Sequence, residues 1–465
     1  MTHDLIVIGA GPAGMSAALT AAALGLKTVL LDEQPRAGGQ IYRNVTAVDP
    51  VVAGLLGPDY QHGRTLAESL ARSGVEVRHG ALVWDVARDL TVTALQQGQS
   101  FQVRAPQLIA ATGAMERASP IPGWTLPGVM NAGAAQIALK STGSVPSGPV
   151  VLAGGGPLLL LVACQLLDAG VTVAGIVETS PQGNRRAAMP HIAAALATPA
   201  YLTKGLRMMW RLRRAQVPWF TGASQLVVDG QDRAEALRFT TGGRMHRLAA
   251  SVVLLHHGVV PNTQLSRLMR VAHTWDDVQL AWRPDIDAWG QTSLPGLRIA
   301  GDGASIAGAL AAEAAGTVAA LGAAHAMQRL NDAERDQRAA PARRALLKQL
   351  RIRPFLDALY RPPQWINTPA DDTVVCRCEE VTAGRVREMA RLGCQGPNQT
   401  KFFSRCGMGP CQGRMCGLTV TQILAGELGK PPDEVGAYRI RAPLKPIPLA
   451  SLASLATSIP KDSSA

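Results

Sequence analysis

The sequence predicts an α/β protein with two strand–helix–strand units of the type that binds dinucleotides, followed by a small helical module rich in cysteine. Two glycine-rich turns, at residues 9–14 and 154–156, each follow a short apolar run and precede an apolar helix. Six of the seven cysteines lie between Cys376 and Cys416. The turns predict the two α/β units, and the clustered cysteines predict a separate metal-binding module.

Length and charge limit the classes of protein that fit. A chain of 465 residues is long enough for two to four domains. The net charge of +12 is concentrated at residues 204–214 and 335–353, without a nucleic-acid recognition motif. We interpret these segments as solvated helix faces or as a docking surface for an acidic partner. The sequence indicates no membrane span and no leader, so we expect a cytoplasmic protein that reaches the inner membrane only through partners.

The first glycine turn has the residues that a pyrophosphate needs. Gly9 permits a tight turn, Gly11 lets the backbone approach the phosphates, and Gly14 lets the helix pack on the strand. Pro12 and Ala13 open that helix, whose free N–H groups attract anions. The second strand of the unit ends at an acidic pair, and either member could accept hydrogen bonds from a ribose: Asp32 and Glu33.

Two later segments resemble motifs of the glutathione-reductase-like flavoproteins. One apolar strand ends in Thr112-Gly113, and another ends in Gly-Asp302-Gly before an alanine-rich helix. In that family the aspartate contacts the ribityl chain of FAD, and the order of the motifs is the same. The resemblance implies that FAD binds at the first glycine turn.

The second glycine turn departs from the usual pattern. Gly154 and Gly156 follow a strand, and Glu178 ends the next strand, as in an NAD(P)-type domain inserted into the FAD domain. Leu159 stands where the third glycine is expected, and we expect it to hold the helix away from the strand. A second adenine nucleotide, slow oxidation of NAD(P)H, and an empty domain kept for packing all remain open.

The flavin region contains no dithiol. The first cysteine of the chain is Cys164, on the helix after the second turn, where a buried core residue is expected. His256 and His257 end a strand, and we expect structural roles for both. Electrons must therefore leave the flavin by a route other than a cysteine pair.

The cysteine module reads CxC, 32 intervening residues, then CxxxxC. Four thiolates suit a [2Fe–2S] cluster, with tetrahedral zinc as the alternative. Spacing alone leaves open whether Cys406 and Cys411, or Cys411 and Cys416, form the second pair.

The whole chain resembles the large FAD/[2Fe–2S] subunits of heteromeric bacterial amine dehydrogenases. This family includes the large subunits of octopine and nopaline oxidase and of hydrogen cyanide synthase, together with the alpha subunit of D-hydroxyproline dehydrogenase. The resemblance covers about residues 3–445 and includes the signature text around Gly39-Gln40 and the GMGxCQGxxC motif. It implies a separate flavoprotein subunit that oxidises the amine, and a further, small ferredoxin-like subunit. It also implies that the cluster ligands are Cys376, Cys378, Cys411 and Cys416, with Cys394 and Cys406 as spares.

We therefore expect an electron-transferring FAD subunit of a dehydrogenase or oxidase that acts on the C–N bond of an opine-like or cyclic amino acid. A self-contained NAD(P)H-dependent reductase and a non-catalytic nucleotide-binding scaffold are the alternatives. The expected domains are the FAD domain in two parts (residues 1–118 and 285–335), an inserted nucleotide domain (119–284), a linker (336–371), the cluster module (372–430) and a proline-rich tail (431–465).

Overall fold

The computed structural model describes residues 3–458, and its first part forms most of one sheet and a small antiparallel sheet. The elements of this part are β1 (Leu5–Ile8), α1 (Pro12–Ala23), β2 (Thr28–Asp32), α2 (Pro50–Leu56), α3 (Pro58–Ala71), β3 (Glu76–His79), β4 (Leu82–Val86), β5 (Thr91–Gln96), β6 (Gln99–Arg104), β7 (Gln107–Ala110) and β8 (Ala114–Glu116).

The second part forms another α/β body. Its elements are β9 (Val129–Asn131), α4 (Ala132–Thr142), β10 (Val150–Gly154), α5 (Pro157–Asp168), β11 (Val173–Glu178), α6 (Gly183–Ala188), α7 (Ile192–Leu196), α8 (Pro199–Arg214), β12 (Trp219–Phe220), β13 (Ser224–Asp229), β14 (Ala236–Thr241), β15 (Arg244–Ala249) and β16 (Val252–His256).

The chain then returns to the first sheet and continues into the cysteine module. The returning elements are β17 (Val259–Pro261), α9 (Gln264–Leu268), β18 (His273–Asp276), β19 (Ala281–Pro284), β20 (Leu297–Ile299) and α10 (Ala309–Ala326). The remaining elements are α11 (Asp332–Leu350), α12 (Arg353–Leu359), β21 (Val374–Cys376), β22 (Val381–Thr382), α13 (Ala383–Arg391), α14 (Pro397–Ser404), α15 (Gly417–Leu428), α16 (Pro432–Val435) and α17 (Leu449–Ser458).

Two five-stranded parallel sheets organise the first three parts. The first has the order β20-β7-β1-β2-β3, and the second has the order β12-β11-β10-β16-β9. The strands β1 and β10 are completely buried, as expected for parallel sheets that are covered on both faces. Antiparallel pairing of β8 with β17 joins the two bodies where the chain leaves and returns. Both glycine turns therefore lie at the carboxyl ends of central strands, where α/β sheets bind their ligands.

The cysteine module does not have a hydrophobic core of its own. Apolar residues of its helices, among them Val386, Val420 and Leu424, belong to the same buried cluster as Ile6 and Val29 of the first sheet. The tail after α16 also packs on the first body, because Leu444 N donates to the carbonyl of Trp84 at 2.7 Å and α17 contacts β6. The module is thus joined to the first body by one continuous core.

Helix α10 is the one helix, among the described residues, that is long and apolar enough to cross a membrane by length and composition. Most of its length is buried, since 61% of it lies inside the protein, packed between α1 and α11. Its side chains are largely alanine, which lets the backbones of α1 and α10 approach closely. We conclude that α10 is a core helix of the first body.

The contact between α1 and α10 requires glycine at position 316. A Cβ atom on Gly316 would lie 2.0 Å from the carbonyl oxygen of Ala13, whereas a Cβ on Gly426 of α15 would have no neighbour within 4 Å. We therefore expect Gly316→Ala to lower the free energy of unfolding by about 1–3 kcal/mol or more through overpacking. The matched control Gly426→Ala should stabilise by up to about 1 kcal/mol, since it adds helix propensity only. Urea denaturation of both variants decides this, and equal stabilities would contradict the close packing.

Candidate flavin site and cysteine centre

Of the three glycines in the first turn, only Gly11 has open space beside its Cα atom. A Cβ on Gly9 would lie 2.5 Å from the carbonyl oxygen of Ala111, and one on Gly14 would lie 1.8 Å from the carbonyl oxygen of Gly9. A Cβ on Gly11 would meet only the Cα of Gly39, at 3.8 Å. Gly9 and Gly14 are therefore required by the fold, whereas Gly11 leaves open backbone at the start of α1. This cradle fits a pyrophosphate held by backbone N–H groups.

The acidic pair after β2 divides into a buried member and an exposed one. Both carboxylate oxygens of Asp32 already accept backbone hydrogen bonds, from the N–H groups of Ala10 and Gln34. Burial raises the pKa of Asp32, while those two hydrogen bonds act in the opposite direction. Glu33 is exposed and forms an ion pair with Lys445 of the tail, a partner that the sequence did not suggest. Asp32 thus holds the glycine turn against the end of β2, and Glu33, although exposed, has one oxygen paired with Lys445 and the other 3.4 Å from the amide of Gln34.

The three motif segments of the first site meet in space. The hydroxyl of Thr112 donates to the carbonyl of Asn262 at 3.2 Å, and a Cβ on Gly303 would lie 3.2 Å from that hydroxyl. Asp302 accepts hydrogen bonds from the N–H groups of Ala307 and Gly308, at 2.9 and 3.0 Å, in the turn before α10. Gly113 has a positive φ of 65° and no neighbour for a Cβ within 4 Å, which leaves open space beside it.

A buried lysine lies between the first site and the second body. Lys140 of α4 donates to the carbonyl of Gln40 at 3.2 Å and to the side chain of Gln136 at 2.9 Å. The side chain of Gln40 points elsewhere, since it accepts from Arg43. Burial, with a contribution from Arg43, lowers the pKa of Lys140 to about 7. No sequence pattern marked this residue, because its burial depends on the packing of α4 on the loop after Gly39.

The second glycine turn is lined by side chains of its own body. A Cβ on Gly154 would lie 1.8 Å from the carbonyl oxygen of His256, and one on Gly156 would lie 3.6 Å from the imidazole of His256. The other imidazole nitrogen of His256 bonds to Glu116 at 2.6 Å. Leu159 is fully buried, whereas the equivalent position of the first turn, Gly14, has no room even for a Cβ. The second turn therefore accommodates a leucine at the position where the first turn admits only glycine.

The linker after α11 covers the second turn. Tyr360 lies 3.8 Å from a Cβ built on Gly155, and burial raises the pKa of Tyr360 to about 12, with a further contribution from Glu178. The Nδ2 of Asn184 fixes this part of the linker through the carbonyls of Leu359 and Arg361, at 3.2 and 2.9 Å. Glu178 accepts from Trp219 at 3.4 Å. The space over the second turn is thus occupied in part by the protein's own chain.

His257 and Cys164, for which the sequence predicts structural roles, are both buried. His257 lies between the hydroxyls of Ser119 and Thr179, at 2.7 and 3.0 Å, and burial lowers its pKa to about 3. Cys164 is buried in the core of the second body, with its thiol 3.8 Å from the carbonyl of Met208. Neither side chain has a free polar atom turned toward a nucleotide turn.

Three cysteines of the module converge, and two more lie nearer the surface. The sulfur atoms of Cys376, Cys406 and Cys416 lie within 4.8 Å of one another and are buried. Cys378 is exposed and Cys411 is half-buried, and burial raises the pKa of the Cys378 thiol, with a further contribution from Cys411. Of the four expected ligands, the buried trio includes Cys376 and Cys416, and its third member is Cys406, which was expected as a spare.

Short glycine turns make this convergence possible. The N–H of Gly407 points at the sulfur of Cys376, at 3.4 Å, and a Cβ on Gly409 would lie 2.2 Å from the Cβ of Cys378. Hydrogen bonds from Cys406 and Cys416 lower the pKa of the Cys376 thiol to about 2. Cys394 lies apart, at the end of α13, where its backbone N–H bonds to Met389. A donor set of closely spaced thiols beside backbone N–H groups fits an iron–sulfur centre.

A cavity lies between the segment after Gly113 and the loop that follows Cys411. Its walls come from the segment beside Gly113, at Met115 and Val260, and from the cysteine loop, at Gly413 and Arg414. Tyr438 forms part of the same wall and lies beside Cys406. The cavity therefore borders the segment next to Gly113 on one side and the loop between Cys411 and Cys416 on the other.

Two protein families match this arrangement. Residues 3–329 match the pyridine nucleotide-disulphide oxidoreductase family, and residues 371–456 match the sarcosine oxidase A3 domain. Among curated proteins, an opine oxidase subunit from Agrobacterium tumefaciens (strain Ach5) is 47% identical over 97% of this chain and 92% of its own length. The corresponding opine oxidase subunit from Rhizobium meliloti is 45% identical over 97% of this chain and 88% of its own length. Hydrogen cyanide synthase subunit HcnB of Pseudomonas protegens is 34% identical, over 97% of each chain.

Solved structures share the fold. L-proline dehydrogenase from P. horikoshii superposes with a TM-score of 0.70 at 17% identity, over 97% of this chain and 79% of that one. Thioredoxin reductase of T. acidophilum covers 70% of this chain and 99% of its own, with a TM-score of 0.51 and 18% identity. The fold, the open cradle at Gly11 and the family matches together identify an FAD-dependent oxidoreductase. The chain belongs to the pyridine nucleotide-disulphide oxidoreductase family and, within it, to the same family as these opine oxidase subunits.

Proposed function

We propose that this chain is the electron-transferring subunit of a heteromeric oxidase or dehydrogenase that acts on the C–N bond of an opine-like or cyclic amino acid. The observation that carries the proposal is the single buried core that contains both the strand leading into the first glycine turn, at Ile6 and Ile8, and the cysteine trio Cys376, Cys406 and Cys416. The relatives are named as subunits of opine oxidase and of hydrogen cyanide synthase, and these names supply the substrate class and the expectation of further subunits. We expect the complex to be cytoplasmic.

FAD is the cofactor of the first site, where it supplies two-electron redox chemistry. We assign its pyrophosphate to the N-terminus of α1, at Gly11, Pro12 and Ala13, with Gly39 opposite. Asp32 and Glu33 are the two candidates for the ribose acceptor: both oxygens of Asp32 accept backbone hydrogen bonds, and Glu33 is exposed but paired with Lys445. Thr112, Gly113 and Asp302 line the remaining part of the site.

Replacement of Gly11 tests the placement of FAD. Gly11→Val should abolish FAD retention without unfolding the chain, because the first atom of the side chain meets no protein atom closer than 3.8 Å and enters the space of the pyrophosphate. FAD released by denaturation is measured by absorbance and fluorescence, and folding by circular dichroism. Gly54→Ala, where a Cβ has no neighbour within 4 Å, is the matched control. Stoichiometric FAD in a folded Gly11→Val variant would rule out this placement.

The cysteine centre is proposed to hold one [2Fe–2S] cluster through Cys376, Cys378, Cys411 and Cys416. Cys376 and Cys416 both belong to the buried trio, Cys411 contributes to the raised pKa of Cys378, and the CxC segment connects the two pairs along the chain. Cys406 belongs to the same buried trio, and it is the alternative to Cys416 as the fourth ligand. A mononuclear zinc site on the buried trio is the alternative chemistry.

Serine substitutions distinguish these arrangements. Each of Cys376→Ser, Cys378→Ser, Cys411→Ser and Cys416→Ser should lose or strongly reduce iron and acid-labile sulfide, and Cys406→Ser should retain both. Cys394→Ser is the control, because Cys394 lies outside the centre. Anaerobic purification with metal and sulfide analysis, and EPR after reduction, measure the outcome. Loss in Cys406→Ser with retention in Cys416→Ser would reverse the assignment, and zinc without sulfide would refute the cluster.

An apolar surface beside the centre supports a partner there. Phe402 and Phe403 of α14 are 77% and 62% exposed, Met408 is exposed, and the exposed Cys378 lies in the same module. Large exposed aromatic residues are typical of interaction sites. We propose that the substrate-oxidising flavoprotein subunit docks on this face, and that the complex includes a further, small ferredoxin-like subunit. A second adenine nucleotide is also proposed, bound only when Tyr360 moves aside, at Gly154, Gly156 and Glu178.

The division of labour between subunits gives a direct test of function. The isolated chain should reduce a dye poorly with opine or cyclic amino acid substrates, and NADH or NADPH should bleach its flavin slowly, because Tyr360 covers the second turn. The complex purified from the native host should reduce the dye with its amine substrate. Phe402→Asp combined with Phe403→Asp should release the partner, whereas Met245→Asp, at an exposed site on β15, should not. Full amine activity of the chain alone, or fast bleaching by NADH, would contradict the proposal.

A further inference from the structure

A basic cavity lies between the returning segment of the first body and the cysteine module. Its volume is about 400 Å³, within the range of small-molecule sites. The polar side chains that line it are Arg267, Arg270, His273, Asn398, Tyr438 and Arg439. Its lining includes three guanidinium groups and no carboxylate. Arg267, Ala437 and Tyr438 also line the inner cavity beside Met115, so the two spaces share a wall.

Arg267 is the buried member of the three arginines. Its Nε donates to the hydroxyl of Thr263 at 3.2 Å, and its guanidinium lies over the ring of Trp282, 4.9 Å from the centroid. Its Nη2 is buried without a hydrogen-bond partner, and so are the Oε1 of Gln264 and the Nε1 of Trp282 on the wall of the inner cavity. A buried cationic donor without a partner is costly, and a bound anion removes that cost.

The wall around the arginines is held rigidly. The two ring nitrogens of His273 bond to the carbonyl of Val271 at 2.7 Å and to the hydroxyl of Ser266 at 2.9 Å. Asn398 donates to the carbonyl of Ala437 at 3.1 Å and accepts from the N–H of Arg439 at 2.8 Å. Burial lowers the pKa of His273 to about 4, so the positive charge of the cavity comes from the arginines alone.

We propose that this cavity binds a small molecule through a phosphate or carboxylate group, with Arg267 as the inner donor and Arg270 and Arg439 at the mouth. The site is distinct from both nucleotide turns and from the cysteine ligands, and it goes beyond the proposed oxidase function. Tyr438 lies between the cavity and Cys406, so an occupant contacts the outer wall of the cysteine centre. Guanidinium groups suit either anion, because both offer oxygens to a bidentate donor.

Calorimetric titration of the purified holoprotein with inorganic phosphate and, separately, with succinate tests the proposal. At least one probe should bind with a Kd below about 1 mM. Arg267→Gln should weaken binding by at least about tenfold, because it removes a charged donor from a desolvated site, and Arg267→Lys should recover part of the affinity. The control is Arg207→Gln, at an exposed arginine of α8, which should bind the probe as the unsubstituted protein does.

The possible outcomes distinguish a phosphate site from a carboxylate site, and both of these from the absence of a site. Binding of phosphate alone or of succinate alone supports the site and identifies its anion. If Arg267→Gln does not fold, Arg270→Ala and Arg439→Ala, both at exposed positions, should each weaken binding by several-fold. Absence of binding by either probe overturns the proposal, and so does an equal loss in Arg207→Gln, which would indicate nonspecific attraction to a basic protein. None of these results depends on amine oxidation, so the site can fail while the proposed function stands.

Discussion

The first site depends on close packing of backbone against backbone around the start of α1. Ala13 has Gly301 on one side and Gly316 of α10 on the other, and neither position has room for a side chain. This packing fixes α1 so that its free N–H groups point at the open cradle of Gly11. The same packing brings α10 and the segment of Asp302 close to the start of α1. The shape of the first glycine turn therefore follows from helix packing rather than from any single polar side chain.

The second constraint is the shared core between the first body and the cysteine module. Cys376, Cys406 and Cys416 lie in the same buried cluster as Ile8 and Leu297 of the first sheet. The cysteine trio therefore holds a fixed position relative to the strand that leads into the first glycine turn. The basic cavity lies between the same two parts of the protein.

Most of the fold could be predicted from the sequence because its signals are local. The glycine turn, the strand ending in Thr112-Gly113 and the segment at Asp302 each carry their own pattern, and the structure brings them together. What the sequence missed depends on distant packing: Lys140 is buried only because α4 meets the loop after Gly39, and Tyr360 covers the second turn only because the linker crosses it. Cys406 shows the same limit, since spacing can pair cysteines but cannot measure the distance between their sulfur atoms.

The joint core has a consequence for biosynthesis. One face of the first sheet is covered by residues as late in the chain as Leu444, and Glu33 meets its ion-pair partner only at Lys445. A nascent chain that has emerged as far as residue 329 contains the whole of the matched oxidoreductase family but still exposes that apolar face to the ribosome and its chaperones. The first body is thus completed only after the segment around Leu444 has been made, so its folding depends on the cysteine module that precedes this segment.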